Sequence, residues 1–329
     1  MVYNKMRNLK SVLTLLSDGK RYSGEIIAKK LKMTRAGVWK IIQYANTVGI
    51  KINGITRIGY QITHPISFLS PVKIKEHLSK DQKKNIKIIE VFDEIDSTNS
   101  YLLQRIYEFS KIPRICLAEQ QTDGRGRRGR IWHSPFAQNI YLSLLWKFSL
   151  ARSDLNGLSL VIAIAIAEVL EKLKMPKKIK IKWPNDIFID EKKCAGILIE
   201  TRGEMHDGAQ VVIGIGINVN MQASTEKEIS QKWTSLSREL NHAIDRNELA
   251  AHVIDKVIAD IERFDAKGFL PFQFLFEKYD MTFSQEIQIQ FDNKSIKGKA
   301  CGIDQQGRLI LMTKEGRMHI SIGDVSMQA

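Results

Sequence analysis

The sequence predicts an α+β multidomain chain: a small basic helical head with a β-hairpin, a central mixed α/β body, and a strand-rich tail. Three observations carry this. Apolar residues recur at helical spacing near the start and then alternate around an Asn-Gly pair. The middle of the chain interleaves apolar strands with one long apolar helix. The net positive charge is concentrated at one end. At 329 residues there is room for two or three domains. The expected boundaries are 1–65 for the head, 66–87 for a short amphipathic link, 88–276 for the body and 277–329 for the tail.

The net charge of +14 is uneven. Residues 1–65 hold twelve Lys/Arg against two acids, a net +10; residues 66–87 hold six against two, a net +4; the remainder is neutral. A neutral body with a basic head points to a polyanionic partner, the alternative being a solubilising extension. Cys116, Cys194 and Cys301 are far apart and form no CxxC pair, so neither a disulfide framework nor a zinc knuckle is expected, and a reducing cytoplasm fits best. The N-terminus lacks the apolar core of a signal peptide. The apolar run Leu160 to Ala167 is far shorter than the ~20 residues a bilayer needs and reads as a buried helix, so no membrane is expected.

In the head, Leu9, Val12, Leu13, Leu15 and Leu16 mark a helix ended by Asp18-Gly19-Lys20. A second helix fits Ser23 to Leu31, with Ser23 as N-cap and Ile26, Ile27 and Leu31 inward. Thr34 caps a third, with Val38, Ile41, Ile42 and Ala45 inside and Arg35, Trp39, Lys40 and Gln43 outside. Two helices joined by a tight turn make a helix-turn-helix whose outward side chains can reach phosphates and base edges. Alternation from Ile50 to Ile62 around Asn53-Gly54 makes a hairpin, with Arg57 near its far strand. The whole reads as a winged helix-turn-helix. A three-helix packing module with a solvated basic face is the competing reading.

In the body, the strand Ile88 to Phe92 runs into Asp96-Ser97-Thr98-Asn99, which caps a helix or holds a polar ligand. The strand Ile115 to Ala118 leads through Gln121 into Gly124-Arg125-Gly126-Arg127-Arg128-Gly129-Arg130-Ile131-Trp132. This formally contains GxGxxG, but a dinucleotide turn must open a helix, and here Trp132-His133-Ser134-Pro135 and a strand from Ile140 to Trp146 follow. Three Gly and four Arg predict a loop that stays mobile until a phosphate or carboxylate arrives. A nuclear-localisation or RNA-binding tract is the alternative. Further on come a helix over Leu158 to Leu173, a strand ending Lys182-Trp183-Pro184-Asn185-Asp186, a strand from Cys194 to Glu200 after Lys193, and a strand from Val211 to Val219. Gly214 and Gly216 share one strand face, where a flat ligand could lie against backbone. Lys182, Lys193 and the Arg loop supply cations; Asp186 supplies a carboxylate for Mg²⁺.

In this order, Ser97-Thr98-Asn99, Gly124–Arg130, Lys182–Asp186, Lys193–Gly196 and Gly214–Asn218 resemble the bifunctional biotin–protein ligases (biotin–[acetyl-CoA-carboxylase] ligases) that double as biotin operon repressors. The resemblance spans essentially the whole chain. It implies a class II synthetase-like mixed α/β catalytic domain and a small C-terminal SH3-like β-barrel, which the strands Glu286–Phe291, Lys297–Ile303 and Arg308–Thr313 would build and Gly316 to Val325 would close.

It also implies chemistry: biotin and ATP, with Mg²⁺, form biotinyl-5′-AMP, and a lysine of a biotin carboxyl carrier protein then takes the biotin. Ser97, Thr98, Asn99 and Gln121 would hold biotin's ring, with Gly214 and Gly216 as floor; Arg125, Gly126 and Arg127 would close over the adenylate. Arg127, Lys182 and Lys193 would be the catalytic cations. Trp132, Asn185, Asn218 and Trp233 would join Arg127 around the nucleotide, Ile229 and Trp233 as apolar covers, and Asp186 would hold Mg²⁺. The adenylate would act as corepressor, its complex dimerising to bind operator DNA through Thr34, Arg35, Trp39, Lys40, Gln43 and Arg57. Departures from the family pattern are Cys194, Ile215, Ser224 and Gln328, the last where an Arg is usual. The alternatives are a ligand-sensing repressor without ligase activity, a lipoate–protein ligase-like enzyme, and a ligase with a vestigial head.

Overall fold

A computed structural model of the chain describes residues 2–55, 57–62, 66–109, 112–149, 155–201, 209–222, 229, 231–291 and 294–327. Ser224 and Gln328 lie outside them. The N-terminal unit comprises α1 (Val2–Leu16), α2 (Gly24–Leu31), α3 (Arg35–Thr47) and an antiparallel hairpin of β1 (Ile52–Ile55) and β2 (Gly59–Ile62). Leu9, Val12, Leu13 and Leu16 are fully buried, as their three-to-four spacing requires. Ser23 accepts from Ile26 N and Thr34 from Gly37 N, each satisfying an orphan donor of its helix.

Two expectations for the head need correction. Ile26 is 45% exposed; Ile27 and Ala28 form the buried face of α2, because adjacent helical residues point about 100° apart. Asn53-Gly54 is not the turn. It pairs with Gln61 and Tyr60 mid-ladder, and the turn lies further on, at Arg57-Ile58, with Arg57 at φ +66°. Gly54 is there because the Tyr60 ring lies across it; a Cβ would stand 3.0 Å from that ring.

Residues 66–87 are more than a link. They fold into α4 (Pro71–His77) and α5 (Lys80–Asn85), and Leu69, Ile74, Leu78 and Ile86 are buried in the main core. The segment before α4 is pinned by α9 (Arg246–Lys267): Asn247 Nδ2 donates to Phe68 O and its Oδ1 accepts from Ser70 N. Buried Arg246 pairs with buried Glu119 at 2.8 Å and donates to Ser67 O, while Glu119 also accepts from Leu69 N.

The body is a seven-stranded sheet in the order β3-β4-β5-β9-β8-β7-β6. Its strands are β3 (Ile88–Phe92), β4 (Arg114–Ala118), β5 (Ile140–Lys147), β6 (Ile179–Lys182), β7 (Asp186–Ile189), β8 (Lys192–Thr201) and β9 (Gln210–Ile217). Only the β3–β4 pair is parallel. The sheet's core face packs on α7 (Leu158–Glu171), buried along nearly its whole length, with α9 outside it. The other face carries α6 (Thr98–Gln104) and, beside it, a cavity. Helices α8 (Leu236–Leu240) and α10 (Gln273–Tyr279) complete the body.

The tail is a five-stranded antiparallel sheet ordered β13-β12-β11-β10-β14: β10 (Glu286–Phe291), β11 (Lys294–Ile303), β12 (Leu309–Thr313), β13 (Gly316–Ile320) and β14 (Asp324–Met327). It shares the main core through Ile287, Ile289, Leu309 and Leu311, and Trp183 Nε1 donates to Gly307 O. Among the described residues no helix is long and apolar enough to cross a membrane.

Candidate active site

A cavity of about 840 Å³ lies between the sheet, the Gly124–Trp132 segment and β14. One half is neutral. The end of β3 leads to Ser97, which caps α6 by accepting from Ser100 N, so the start of α6 faces the cavity. Thr98 N and Oγ1 both donate to Gln121 Oε1, at 3.0 and 3.1 Å. Gln121 Nε2 donates to Ser134 Oγ, which donates to Trp132 O. Buried Ser143, on β5, stands 2.7 Å from Thr98 Oγ1 and donates to Asn99 Oδ1 at 2.5 Å. Asn99 Nδ2 donates to Leu198 O and to Glu200 Oε2.

This accounting leaves few free valences. Both lone pairs of Gln121 Oε1 are used, so Gln121 can offer a ligand only an N–H. Ser97 has a hydroxyl hydrogen to give. Asn99 has both amide hydrogens committed and can offer only carbonyl lone-pair capacity. Two donors and one acceptor suit a carbonyl oxygen flanked by N–H, as in an amide or a cyclic urea.

Gly214 and Gly216 do face the cavity, but their missing side chains make room for the protein's own groups. A Cβ on Gly214 would be 2.4 Å from Asn99 Oδ1, and one on Gly216 would be 2.4 Å from the Trp132 indole. In the structure Asn99 and Trp132 lie directly on that backbone. Ile215, between them, is buried on the core side.

The other half is cationic. The Arg loop was expected to wait for an anion; in the structure the protein supplies its own. Asp324 on β14 takes Arg127 at 3.2 Å, Arg128 at 3.9 Å and Arg130, while Glu200 takes Arg125 at 3.1 Å. Arg127 also donates to Asn185 Oδ1 and Gly323 O. Burial disfavours the charged form of Arg127, opposed by Asp324. Lys193 Nζ lies 2.9 Å from Asp186 and 5.3 Å from the Trp132 ring. Burial lowers the Lys182 pKa, with Lys193 and Arg130 adding to the shift and Asp186 opposing it. The described residues contain no group of three or more His, Cys, Asp or Glu able to hold a metal.

The cover is held by backbone. Lys193 N donates to Lys232 O and Thr234 N to Lys193 O, placing nearly buried Trp233 at the cavity; Ile229 also lines it. Asn218 Nδ2 donates to Thr234 O. Glu239 accepts from Thr234 Oγ1 and pairs with Lys177. Cys194 is fully buried, its Sγ on Asn218 O, and burial pushes its thiol far up, so it is packing.

The cavity therefore gathers Ser97, Thr98, Asn99, Gln121, Arg125, Gly126, Arg127, Trp132, Lys182, Asn185, Asp186, Lys193, Gly214, Gly216, Asn218 and Trp233. Sequence reasoning missed Ser134, Ser143, Glu200, Asp324 and Gly196. Ser143 left a faint signal, a lone small polar residue inside the apolar run Ile140 to Trp146; Asp324 left none. On the head, Arg35, Trp39, Lys40, Gln43 and Arg57 are exposed, and Thr34 spends its hydroxyl on the α3 cap.

Residues 91–218 match the Biotin/lipoate A/B protein ligase family and residues 282–328 the Biotin protein ligase C terminal domain. The chain is 40% identical over 301 residues to a Salmonella typhimurium protein named bifunctional ligase/repressor BirA, covering 92% of this chain and 91% of the relative. It is 31% identical over 306 residues to a Bacillus subtilis protein of the same name, covering 93% of each. Among solved structures, the Aquifex aeolicus biotin protein ligase in complex with biotin and ATP superposes with a TM-score of 0.63 at 30% identity, over 74% of this chain and 99% of that one.

Proposed function

The chain belongs to the biotin protein ligase family, and from that premise we propose that it activates biotin with ATP and transfers it to a lysine of a biotin carboxyl carrier protein. The observation that carries this reading is the division of one cavity into a neutral half with the valences of a cyclic urea and a cationic half lined by Arg127, Lys182 and Lys193. Biotin's ureido carbonyl would take the Ser97 and Gln121 donors and a ring N–H would meet Asn99 Oδ1.

Its carboxylate oxygen would attack the α-phosphorus of ATP beside Lys193, the bond to the bridging oxygen would break, and pyrophosphate would leave. Lys193 and Arg127 would stabilise charge growing on the phosphoryl oxygens, the usual large term in such sites. Trp132 and Trp233 would exclude water, with Asn185 and Asn218 fixing the segments around the nucleotide. The acceptor amine would then attack the acyl carbon and expel AMP. Asp186, paired with Lys193 in the structure, would offer Mg²⁺ one carboxylate, and the ion would supply charge neutralisation at the phosphates.

We read residues 1–65 as a winged helix-turn-helix, with 66–87 joining it to a ligase domain over 88–276 and an SH3-like domain over 277–329. The exposed basic face of α3 and the Arg57 turn support binding to operator DNA by an adenylate-loaded homodimer. The test of the enzyme is incorporation of labelled biotin into a carrier domain with ATP and Mg²⁺. Robust labelling that collapses in Lys193→Ala is expected; biotin binding without labelling would leave a sensor-repressor.

A further inference from the structure

Asn99 lies across three strands. Ser143 on β5 and Leu198 on β8 are both register partners of Gly214 on β9, and the Asn99 amide sits over that row. A carboxamide in such a slot can be turned either way, since its oxygen and nitrogen ends have the same size and shape. Ser143 does not decide the direction, because a hydroxyl can donate or accept. Two acceptors at its other end do: Leu198 O lies 3.4 Å from Asn99 Nδ2, and the Glu200 carboxylate stands closer, its Oε2 at 2.8 Å. The nitrogen must therefore face β8 and the oxygen must face β5 and the cavity. The same carboxylate oxygen takes Arg125 Nη2 at 3.1 Å, which ties the start of the Arg loop to the residue that reads the ring.

We propose that Glu200 is a positioning residue that sets the polarity of the Asn99 carboxamide, and with it the ability of the site to accept a ring N–H of a cyclic urea. This rests on the ligase reading. Were Glu200 a neutral amide, it could present either end to Asn99, leaving only the longer contact to Leu198 O to hold the nitrogen on the β8 side, and a turned Asn99 would place an N–H against the ligand's N–H.

The test is biotin affinity of the full chain by calorimetry, with KM values for biotin and ATP in the carrier-labelling assay, for wild type, Glu200→Gln and Glu200→Asp. Glu200→Gln is expected to weaken biotin binding and raise its KM about tenfold, to leave KM for ATP at saturating biotin within twofold, and to leave the melting temperature unchanged. Glu200→Asp, which keeps an acceptor-only carboxylate, is expected to recover most of the loss. Wild-type affinity in Glu200→Gln would overturn the proposal while leaving the ligase intact. So would equal losses in both variants accompanied by a lowered melting temperature, which would make Glu200 a scaffold residue. Absence of biotin binding in wild type would instead overturn the ligase reading itself.

Discussion

The two halves of the cavity are stabilised in opposite ways. On the ring side, hydrogen bonds tie the Glu200 carboxylate to Asn99 and Asn99 to Ser143, and run from Thr98 through Gln121 to Ser134. On the phosphate side, cations that cannot satisfy one another are compensated by carboxylates, Asp324 for three arginines and Asp186 for Lys193. A buried neutral network that is already satisfied needs no ligand to hold its shape, and it selects by the few valences it leaves open. A charge cluster held by a carboxylate can exchange that carboxylate for a phosphate. On the proposed reading the ring side is preorganised, and the cationic side would be assembled as a nucleotide takes over from protein acids.

The largest effect should come from the cationic half. Arg127→Ala is expected to lower kcat for carrier labelling by about 10²–10³, as loss of one transition-state donor does elsewhere, with the biotin dissociation constant, read by calorimetry without nucleotide, changing little. A comparable loss of biotin affinity would mean that the halves are not separate.

Gly214→Ala attacks the other half. The new methyl cannot coexist with Asn99 as placed, so biotin affinity should fall about a hundredfold while ATP affinity measured without biotin stays near wild type. Ser143→Ala is milder: it removes one hydrogen bond to Asn99, worth on the order of 1 kcal/mol, and biotin KM should rise about fivefold in the same assay.

The smallest effect is one of pH. The Lys182 pKa is depressed, so its charge is lost as pH rises through a value below the ordinary lysine range. ATP affinity should weaken on that alkaline limb. Lys182→Arg, whose guanidinium stays charged, should flatten it. An unchanged limb in a titration of KM for ATP against pH would remove Lys182 from the phosphate side.

The same contrast explains what could be read in the sequence. The cationic half announces itself, because four arginines among three glycines and two further lysines have no structural reason to cluster. The head was legible for a similar reason: its charge and its helical periodicity both stand out. What stayed hidden is long-range and neutral. Ser143 and Ser134 look like ordinary residues of a strand and a loop until register places them beside Asn99 and Gln121. Asp324 lies almost two hundred residues from the arginines it compensates, in a tail whose sequence speaks only of strands. Residues 66–87 read as a short amphipathic link, and the structure shows how far its apolar side goes in: Leu69, Ile74, Leu78 and Ile86 are buried in the main core. The Asn53-Gly54 pair misled because a glycine required for close approach of Tyr60 looks identical to one required by a turn.

The most direct measurement is biotin-dependent exchange of labelled pyrophosphate into ATP with no carrier protein present. It isolates the first half-reaction, which needs both halves of the cavity and nothing else. Rapid exchange in the wild type, abolished without biotin and reduced at least a hundredfold in both Arg127→Ala and Lys193→Ala, is the expected result. Binding of biotin and ATP with no exchange would contradict it, since the two halves would then hold their ligands without bringing carboxylate and phosphorus together.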